Sequence, residues 1–379
     1  MAIIGGGVAG LSLAAELAEL DGRLVERSAR ESGGPRPELR IVLLERENQF
    51  GYHSTGRSIS ALTESLGSAE QRALTRASRI ILDALGAESG TPLLRARPVI
   101  WVADADHLGA LNALLTANPS LRGADLAAAQ TLCPVLRPEA TARAAVERTA
   151  QDVDVDALQQ QYRDRATAAG AVLRTAIGLE AGTWDPGRSA WTLTTDRGEL
   201  RVGRVVNAAG PWADAVAARL EVPPAGLTSY RRTVAIASAE RVGPAWPLVL
   251  DVANRFYFRP ERGGLLVSPA DETPSPPTDA EARPEDVSVA VERVTAATTL
   301  RLTRVRTSWA GLRTFAPDRN PVVGPDPKQE GFFWFAGLGG TGIQTAPALA
   351  RLAAAQLLGE PYEIPDLHPE ALLPRVQPQ

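Results

Sequence analysis

Three glycines near the start of the chain, Gly5, Gly7 and Gly10, have a spacing that suits the binding of a dinucleotide. In a turn between a strand and a helix, the first glycine permits the tight turn, the second lets the backbone approach a pyrophosphate, and the third lets the helix pack closely. The phosphates then lie at the helix N-terminus, beside Val8 and Ala9, where free N–H groups and the helix dipole favour anions. Taken alone the motif is weak, because glycine-rich helix starts also occur in other α/β folds.

The elements around these glycines strengthen the interpretation. Residues 2–4 are a short apolar run typical of a buried parallel strand, residues 8–20 have helical spacing without proline, and residues 41–44 are a second apolar run that ends at Glu45. An acid at this place accepts hydrogen bonds from a ribose hydroxyl. It lies further from the glycines than the usual ~20 residues. We attribute the excess to residues 21–38, a polar stretch interpreted as an exposed loop with a helical extension at its start.

A polar segment with small side chains follows the second strand. Within residues 51–58, Ser54, Thr55, Gly56 and Ser58 offer hydroxyl and backbone N–H groups, and Arg57 has a charge that helps to neutralise phosphate. These residue types suit a segment that lies along a cofactor. By chemistry alone the stretch is equally compatible with an ordinary exposed loop, so both interpretations stay open.

A second glycine-rich turn lies near the end of the chain. It follows an apolar run and precedes an Ala/Leu helix, and its residues are Gly339, Gly340, Thr341, Gly342, Ile343 and Gln344. Glycines here let backbone N–H groups face a ligand closely at a helix N-terminus. A tight turn without a ligand is the alternative. Two such turns in one chain favour an extended, two-ended ligand, and FAD fits that description better than a single nucleotide.

Two arginines and a tyrosine have the chemistry of a carboxylate clamp. Arg232 and Tyr257 lie in strand-like stretches, and Arg313 follows Gly311 two residues later. A guanidinium fork pairs bidentately with a carboxylate, and a phenol hydroxyl adds a third contact. Taken singly, such residues are more often surface arginines or core tyrosines.

Composition limits the classes of function. The 379 residues favour two domains, and 44% hydrophobic with 22% charged residues is normal for a globular protein. The net charge of −4 and the lack of a long basic run argue against a nucleic-acid partner, and no apolar stretch reaches the ~18 residues of a membrane span. No charged-then-apolar leader is seen, so we expect no signal peptide and a cytoplasmic protein.

Side chains that bind metals are scarce. Cys133 is the only cysteine, and the three histidines His53, His107 and His368 are far apart. This excludes an intramolecular disulfide and a multi-cysteine zinc or iron–sulfur site, and makes a metal enzyme improbable. A flavin would instead supply the redox chemistry that the side chains lack.

Several stretches together resemble the D-amino-acid oxidase superfamily of FAD enzymes, which includes glycine and sarcosine oxidases. Within that superfamily they are most similar to D-arginine dehydrogenase and its bacterial relatives. The shared stretches run almost from end to end of the chain and lie at residues 44–47, 51–58, 207–210, 256–257, 309–313 and, with one difference, 340–345.

The resemblance implies a non-covalently bound FAD. Cys133 and His53 do not match positions where relatives attach flavin covalently. Besides the first glycine turn, the residues that would contact FAD are Ala9, Glu45, Arg46, Ser54, Thr55, Gly56, Arg57, Ser58, Ala61, Ala176, Ala209, Gly210, Gly339, Gly340, Thr341, Gly342, Ile343 and Gln344.

The resemblance also implies the catalytic arrangement. Arg232 and Arg313 would grip the substrate carboxylate, Tyr257 would hydrogen-bond to it, and Gly311 would offer its carbonyl to the amine, with Thr63 and Gln344 nearby. The clamp presents the Cα–H to flavin N5, and the neutral amine assists hydride transfer. The imine formed is hydrolysed to a 2-oxo acid and ammonia, without a protein base being required.

Three departures from D-arginine dehydrogenase bear on the substrate. Ala61, Leu66 and Val99 stand where that enzyme has histidine, tyrosine and glutamate. Because an unpaired guanidinium is costly in an apolar pocket, we expect a D-amino acid with a neutral, apolar side chain. The alternative is that Glu64 or another acid has taken over the recognition of a basic side chain.

Two further functions stay open. The same clamp would serve an oxidase of an N-methyl or cyclic amino acid of the sarcosine, glycine or proline type. The other hypothesis is not an enzyme at all: a protein that binds a flavin without catalytic turnover. The sequence leaves open whether oxygen or another acceptor takes the electrons, and it leaves the oligomeric state open.

The predicted fold is α/β with an α+β substrate part. Segments like the opening unit lie at both ends and in the middle of the chain, and β-rich segments lie between them. We therefore predict a Rossmann-like FAD-binding domain of the glutathione-reductase type, from residues 1–65, 150–220 and 310–365. An antiparallel-sheet substrate domain, residues 66–149 and 221–309, interrupts it. Residues 270–286, rich in Pro, Asp and Glu, are predicted to be a surface loop that only connects.

Overall fold

The chain begins with a strand, a glycine turn and a long helix. The structure is a computed structural model, and it describes residues 1–32 and 36–375 of the chain. In these ranges the α-helices are, in chain order, α1 (Val8–Ser32), α2 (Ala69–Ser89), α3 (Leu108–Ala117), α4 (Leu126–Leu132), α5 (Val155–Ala168), α6 (Ala213–Arg219), α7 (Pro284–Ala297) and α8 (Gly342–Leu358).

The strands of the described ranges have at most seven residues, except β14 with 12 and β19 with 14. In chain order they are β1 (Ala2–Ile4), β2 (Val42–Leu44), β3 (Ala61–Leu62), β4 (Leu94–Ala96), β5 (Val99–Ala103), β6 (Arg122–Asp125), β7 (Arg143–Glu147), β8 (Gln151–Val153), β9 (Val172–Arg174), β10 (Leu179–Asp185), β11 (Ala190–Thr195), β12 (Gly198–Val202), β13 (Val205–Asn207), β14 (Thr228–Ala239), β15 (Leu248–Asp251), β16 (Tyr257–Glu261), β17 (Gly264–Ser268), β18 (Thr273–Pro274), β19 (Leu302–Phe315), β20 (Val322–Pro325) and β21 (Phe332–Ala336).

A six-stranded sheet joins the two glycine-rich units. Its strand order is β20-β21-β13-β1-β2-β9, and every pair is parallel except β20 with β21. Both faces are covered: Ile3 packs in one core cluster with α1 and α8, whereas Ala2 and Ile4 pack in another with β11 and α6. Burial on both faces explains why the central strands β1 and β21 are continuous apolar runs in the sequence.

A nine-stranded sheet forms the second layer of the molecule. Its order is β18-β14-β17-β16-β15-β5-β7-β6, with β19 paired along the other edge of β14. The pairs are antiparallel apart from β15 with β5. One face packs in a core cluster with α4 and α7, and the other carries Trp101, Leu250 and Tyr257 in a separate cluster.

Two three-stranded sheets complete the β-structure of the described residues. The antiparallel meander β10-β11-β12 lies beside the six-stranded sheet, and β3-β8-β4 is the smaller one. The predicted mixed α/β fold is confirmed. The strands of the six-stranded sheet come from the start, middle and end of the chain, and those of the nine-stranded sheet come from between them. The proposed domain boundaries stay a prediction.

Two loop predictions need correction. Helix α1 continues to Ser32 rather than ending near residue 20, because the polar stretch still buries Leu24 and the carboxylate of Asp21. That carboxylate accepts a hydrogen bond from the N–H of Leu39 at 2.8 Å, which ties the end of the predicted loop back to the helix. Residues 33–35 of that loop lie outside the described ranges. The surface loop predicted at 270–286 contains β18 and the first turn of α7.

None of the described helices is long and apolar enough to cross a membrane.

Candidate functional site

A cavity of about 940 Å³ lies where the glycine turns of the six-stranded sheet meet the nine-stranded sheet. This volume is near the upper end of the ~300–1,000 Å³ typical of small-molecule sites. Residues of the first turn, the 51–58 segment, the second turn and strands β14, β15, β16 and β19 line it. The sequence-predicted nucleotide and substrate groups therefore meet in one space.

The first glycine turn has the close packing that its motif predicts. Gly5 has φ +108°, a conformation that L side chains rarely adopt. A Cβ atom at Gly10 would lie 1.9 Å from the carbonyl oxygen of Gly5, so only glycine lets α1 begin this close to the turn. The backbone N–H of Val8 donates to Thr55 Oγ1 at 3.0 Å. The 51–58 segment is thus fastened to the first turn of the helix.

Glu45 lies at the end of β2 and lines the cavity. Its carboxylate accepts hydrogen bonds from the N–H of Gly6 at 2.7 Å and from the N–H of Glu47 at 2.8 Å. A carboxylate has about four acceptor positions, so two remain for other donors such as ribose hydroxyls. The acid therefore supports the glycine turn and still has capacity for a ligand.

The second glycine turn places another helix start at the same cavity. Gly339 has φ +58°, and its N–H donates to the carbonyl of Thr314 in β19 at 2.8 Å. Helix α8 begins at Gly342, and no side chain caps its first turn. Gly340 to Gln344 line the cavity. Two glycine turns with helix N-termini on one cavity fit an extended dinucleotide with separate phosphate and ring ends.

Arg57 lines the cavity, but its guanidinium is bound by groups of the protein itself. Its guanidinium donates to the carbonyls of Ala280 at 2.8 Å and Ala310 at 3.1 Å, forms an ion pair with Asp279, and lies 5.3 Å from the ring centre of Tyr52. These protein groups already satisfy its charge, so the arrangement does not support a role in phosphate neutralisation. Arg57 instead holds the 51–58 segment against β19.

The three clamp residues come together on strands β14, β16 and β19. Arg232 is paired with Gly311 across β14 and β19, and Arg313 lies two residues further along β19. The centre of the Arg232 guanidinium is 5.9 Å from the ring centre of Tyr257. All four residues line the cavity. The residues assigned to a clamp from their chemistry and from the resemblance thus lie together on one cavity.

Arg313 and Tyr257 lack protein partners for their polar groups. Among the described residues, no acceptor or acid pairs with the Arg313 guanidinium, and the buried hydroxyl of Tyr257 has no hydrogen bond. Burial, and then the positive charge of Arg232, lower the pKa of Arg313 to about 10. An unpaired cation and an unpaired hydroxyl on one cavity wall form a site for an anion such as a carboxylate.

Part of the Arg232 guanidinium already donates hydrogen bonds to Asp271 and Glu272, two residues that the sequence analysis did not identify. Its Nε donates to the carbonyl of Asp271 at 2.7 Å, and its Nη2 donates to Glu272 Oε1 at 3.2 Å. Arg319 Nη2 donates to both oxygens of Glu272, at 3.0 and 3.2 Å. Glu272 and Arg319 also line the cavity. No motif marks Glu272, since it lies in the segment predicted as a plain connector.

An apolar wall continues from the clamp across the nine-stranded sheet. Its side chains are Ala61, Leu66, Trp101, Val234, Leu248 and Leu250. Val99, predicted to contact substrate, is buried in the same cluster but does not line the cavity. Trp101, two residues along β5 on the same face, lines it instead. The period-two alternation of a strand was the signal that would have found Trp101.

Several predicted contacts lie behind the cavity wall. Of the predicted residues, Gly10, Gly56, Ala176, Thr63 and Val99 are not among its lining residues. Thr63 Oγ1 donates to the buried carboxylate of Glu147 at 2.5 Å. Gln344 reaches the cavity, but its side-chain amide bonds to both backbone groups of Thr63, at 3.0 and 3.1 Å, and to Thr75 Oγ1 at 3.0 Å. Its amide therefore ties α8 to the segment after β3 rather than reaching toward a ligand.

The acids near the substrate end are already paired. Asp251 lines the cavity, but its carboxylate binds Arg255 at 2.7 and 2.8 Å. Glu64 does not line the cavity, and its carboxylate faces Arg76 at 3.7 Å and Arg79 at 3.5 Å. The alternative in which Glu64 recognises a basic substrate is therefore not supported by its position.

Curated relatives match part of the chain. FAD-dependent oxidoreductase domain-containing protein 1 from Bos taurus is 29% identical over 187 residues, which cover 44% of this chain and 37% of the relative. Mitochondrial dimethylglycine dehydrogenase from Homo sapiens is 28% identical over 213 residues, which cover 50% of this chain and 23% of the relative. The aligned part is thus well under half of each of these relatives.

Solved structures share the fold over the whole chain. L-proline dehydrogenase from P. horikoshii superposes with a TM-score of 0.82 at 19% identity, covering 98% of this chain and 96% of that one. Glycine oxidase from Geobacillus kaustophilus gives 0.80 at 21% identity, covering 100% and 98%. At these identities the likeness establishes the fold alone.

The family model described as FAD dependent oxidoreductase, DAO, matches residues 1–356. The match includes both glycine turns, Glu45 and the clamp residues, and the cavity has the close-packed turns and open acceptor positions that FAD requires. The resemblance to the wider superfamily is thereby confirmed, whereas special closeness to D-arginine dehydrogenase stays a prediction. The chain belongs to the DAO family of FAD-dependent oxidoreductases, whose cofactor is FAD.

Proposed function

We propose that the protein oxidises a D-amino acid with a neutral, apolar side chain to the imine, which water converts into a 2-oxo acid and ammonia. The observation that carries the proposal is the unpartnered guanidinium of Arg313 beside Arg232 and the unpartnered hydroxyl of Tyr257, all on one cavity wall. A substrate carboxylate satisfies these donors together. FAD, when bound, supplies the hydride acceptor for the oxidation.

The residues that would hold FAD are those of the two glycine turns and the 51–58 segment. Phosphate oxygens would accept hydrogen bonds from backbone N–H groups at the starts of α1 and α8. The open acceptor positions of Glu45 would take ribose hydroxyls. Gly5 and Gly339 keep these turns in conformations with positive φ that bring backbone close to the cavity.

The clamp acts by positioning and by electrostatics. Arg313 and Arg232 fix the carboxylate, Tyr257 donates to it, and the carbonyl of Gly311 accepts from the substrate amine. Holding the reacting carbon in one orientation removes much of the entropic barrier of a bimolecular reaction. The amine reacts as the neutral species, because its lone pair must assist the loss of hydride from the Cα atom.

The apolar wall supports the choice of side chain. Ala61, Leu66 and Trp101 offer no polar partner within reach other than the Trp101 Nε1, which donates to Ser65 Oγ at 2.9 Å. Because Asp251 and Glu272 are paired with arginines, a cationic side chain would be desolvated without a free counter-ion.

A secondary amine is the second candidate substrate. Proteins similar to this chain include a dimethylglycine dehydrogenase and an L-proline dehydrogenase, and the same carboxylate clamp would serve an N-methyl or cyclic amino acid. We also propose a cytoplasmic location, which a single cysteine without a disulfide partner supports.

Anaerobic mixing with single amino acids tests the proposal. We expect D-Leu, D-Met and D-Phe to bleach the flavin absorbance faster than D-Arg, and Arg313→Ala to lose the bleaching. Arg304→Ala, an exposed arginine of the same strand, is the matched control and should keep it. Faster reduction by D-Arg would contradict the side-chain class, and preference for sarcosine or proline would favour the second candidate.

The same experiment covers the remaining alternatives. A flavin that no amino acid reduces would indicate a flavin-binding protein without turnover. Admission of oxygen after reduction then identifies the acceptor, since rapid recovery of the flavin band is expected of an oxidase and slow recovery of a dehydrogenase.

A further inference from the structure

Three guanidinium groups and one carboxylate surround the substrate end of the cavity. Arg313, Arg232 and Arg319 line it together with Glu272. Glu272 bridges two of the arginines: its Oε1 accepts from Arg232 at 3.2 Å and from Arg319 at 3.0 Å. Arg313 has no such partner among the described residues. The cluster therefore has more positive than negative charge, and the excess is concentrated at Arg313 and the adjacent part of Arg232.

Two of the three guanidinium nitrogens of Arg232 already donate hydrogen bonds to the protein. Nε donates to the carbonyl of Asp271 and Nη2 donates to Glu272. Within the described part of the chain, Nη1 alone has no hydrogen-bond partner. The site as built offers the whole fork of Arg313 and one nitrogen of Arg232, which is the donor set for one carboxylate.

Glu272 is held in this position from both sides. The adjacent Asp271 accepts from the N–H and the hydroxyl of Thr233, at 2.7 and 3.1 Å, which fastens the chain to β14. Arg319, on the other side, lies 3.8 Å from the ring centre of Phe315. The side chain of Glu272 is 37% exposed, but hydrogen bonds to two arginines hold its carboxylate at the mouth of the cavity.

We propose that Glu272 restricts the substrate to a single carboxylate, an inference that rests on the proposed function. It occupies the faces of Arg232 and Arg319 on which the second carboxylate of an aminodicarboxylic acid would bind. The second carboxylate of such a substrate could not bind these donors, because Glu272 already accepts from them, and the negative charge of Glu272 would repel it. At the ~4 Å separations of this network, repulsion between two carboxylates corresponds to roughly tenfold or more in affinity.

Ligand binding to the FAD-loaded protein tests the inference without turnover. Propionate and succinate are matched probes with one and two carboxylates, and perturbation of the flavin absorbance band reports their binding. We expect Glu272→Gln to raise the affinity for succinate relative to propionate by about tenfold. Glu261→Gln is the matched control, since Glu261 pairs with Arg259 at 2.9 Å and does not line the cavity. It should leave the ratio unchanged.

A second variant keeps the inference testable if Glu272→Gln does not fold. In Arg319→Gln, Glu272 loses its outer partner and pairs more fully with Arg232, so propionate should bind more weakly than to the wild type. A succinate-to-propionate ratio that Glu272→Gln leaves unchanged, although both acids bind, would overturn the inference alone. Failure of every carboxylate to bind the wild type would overturn the clamp, and this inference with it.

Discussion

Arg313 is the residue on which the chemistry depends most. Its partly exposed guanidinium lines the cavity beside another arginine, and no described acid pairs with it, so its positive charge is not compensated by a neighbouring carboxylate. A charge held in that way is expected where a ligand of opposite charge completes the site. At this scale the structure explains why the clamp has spare donors, which the residue types alone do not reveal.

The lowered pKa of Arg313 predicts an alkaline limit to carboxylate binding. The guanidinium must be protonated to bind an anion, so propionate affinity should be constant at neutral pH and fall as the pH rises through about 10. Flavin absorbance titrations between pH 7 and 11 measure this. Tyr257→Phe is the control, since it removes the clamp hydroxyl but keeps Arg313, so the loss of affinity near pH 10 should remain. Affinity that stays flat to pH 11 would contradict the assignment.

At the scale of elements, three helices are joined by one buried acid. Glu16 of α1 is 4% exposed and binds Arg165 of α5 at 3.2 Å and Arg351 of α8 at 3.1 Å. Since α1 and α8 are the helices whose N-termini reach the cavity, this network fixes their relative position. The long α1 was predicted too short because its second half is polar in sequence, and only packing against the rest of the fold stabilises it.

We predict that Glu16→Gln lowers the free energy of unfolding by about 2–4 kcal/mol. Arg351 loses its one acidic partner among the described residues, and Arg165 keeps only the partly exposed Glu19. Glu19→Gln, in the same helix, should cost less than about 1 kcal/mol, because Glu19 is 25% exposed. Urea unfolding monitored by circular dichroism compares the two. Equal effects would show that burial of Glu16 does not govern the network.

At the scale of the whole molecule, the two glycine turns meet although more than 300 residues separate them. The order β21-β13-β1 places the strands that precede both turns in one parallel sheet, so both helix starts reach the same edge. The nine-stranded sheet then covers that edge with the clamp and the apolar wall. FAD binding should therefore stabilise the molecule as a unit.

Free FAD at about 100 times its dissociation constant should stabilise the fold by ~2.7 kcal/mol. For a chain of this length that corresponds to a rise of about 3 °C in the midpoint of thermal unfolding. FMN, which lacks the adenosine part expected at Glu45, should give a smaller rise at equal concentration. A midpoint that does not depend on the FAD concentration would contradict the site.

The sequence by itself determined the fold class and the cofactor. Gly5, Gly10 and Glu45 could be predicted because a tight turn and a phosphate impose local spacing on the chain, and this spacing is visible in a single sequence. The clamp residues and their roles came from resemblance rather than from spacing. Their placement on paired strands and on one cavity agrees with that expectation.

The tertiary structure alone decided which charges are free and which side chains face the cavity. Arg57 meets Asp279, 222 positions away, and Arg319 meets Glu272, 47 positions away, so neither pairing leaves a local pattern. Val99 and Trp101 lie on the same face of β5, and their positions along the strand decide that Trp101 reaches the cavity whereas Val99 does not. Charge pairing and burial depend on contacts between distant segments, and these exist only once the chain has folded.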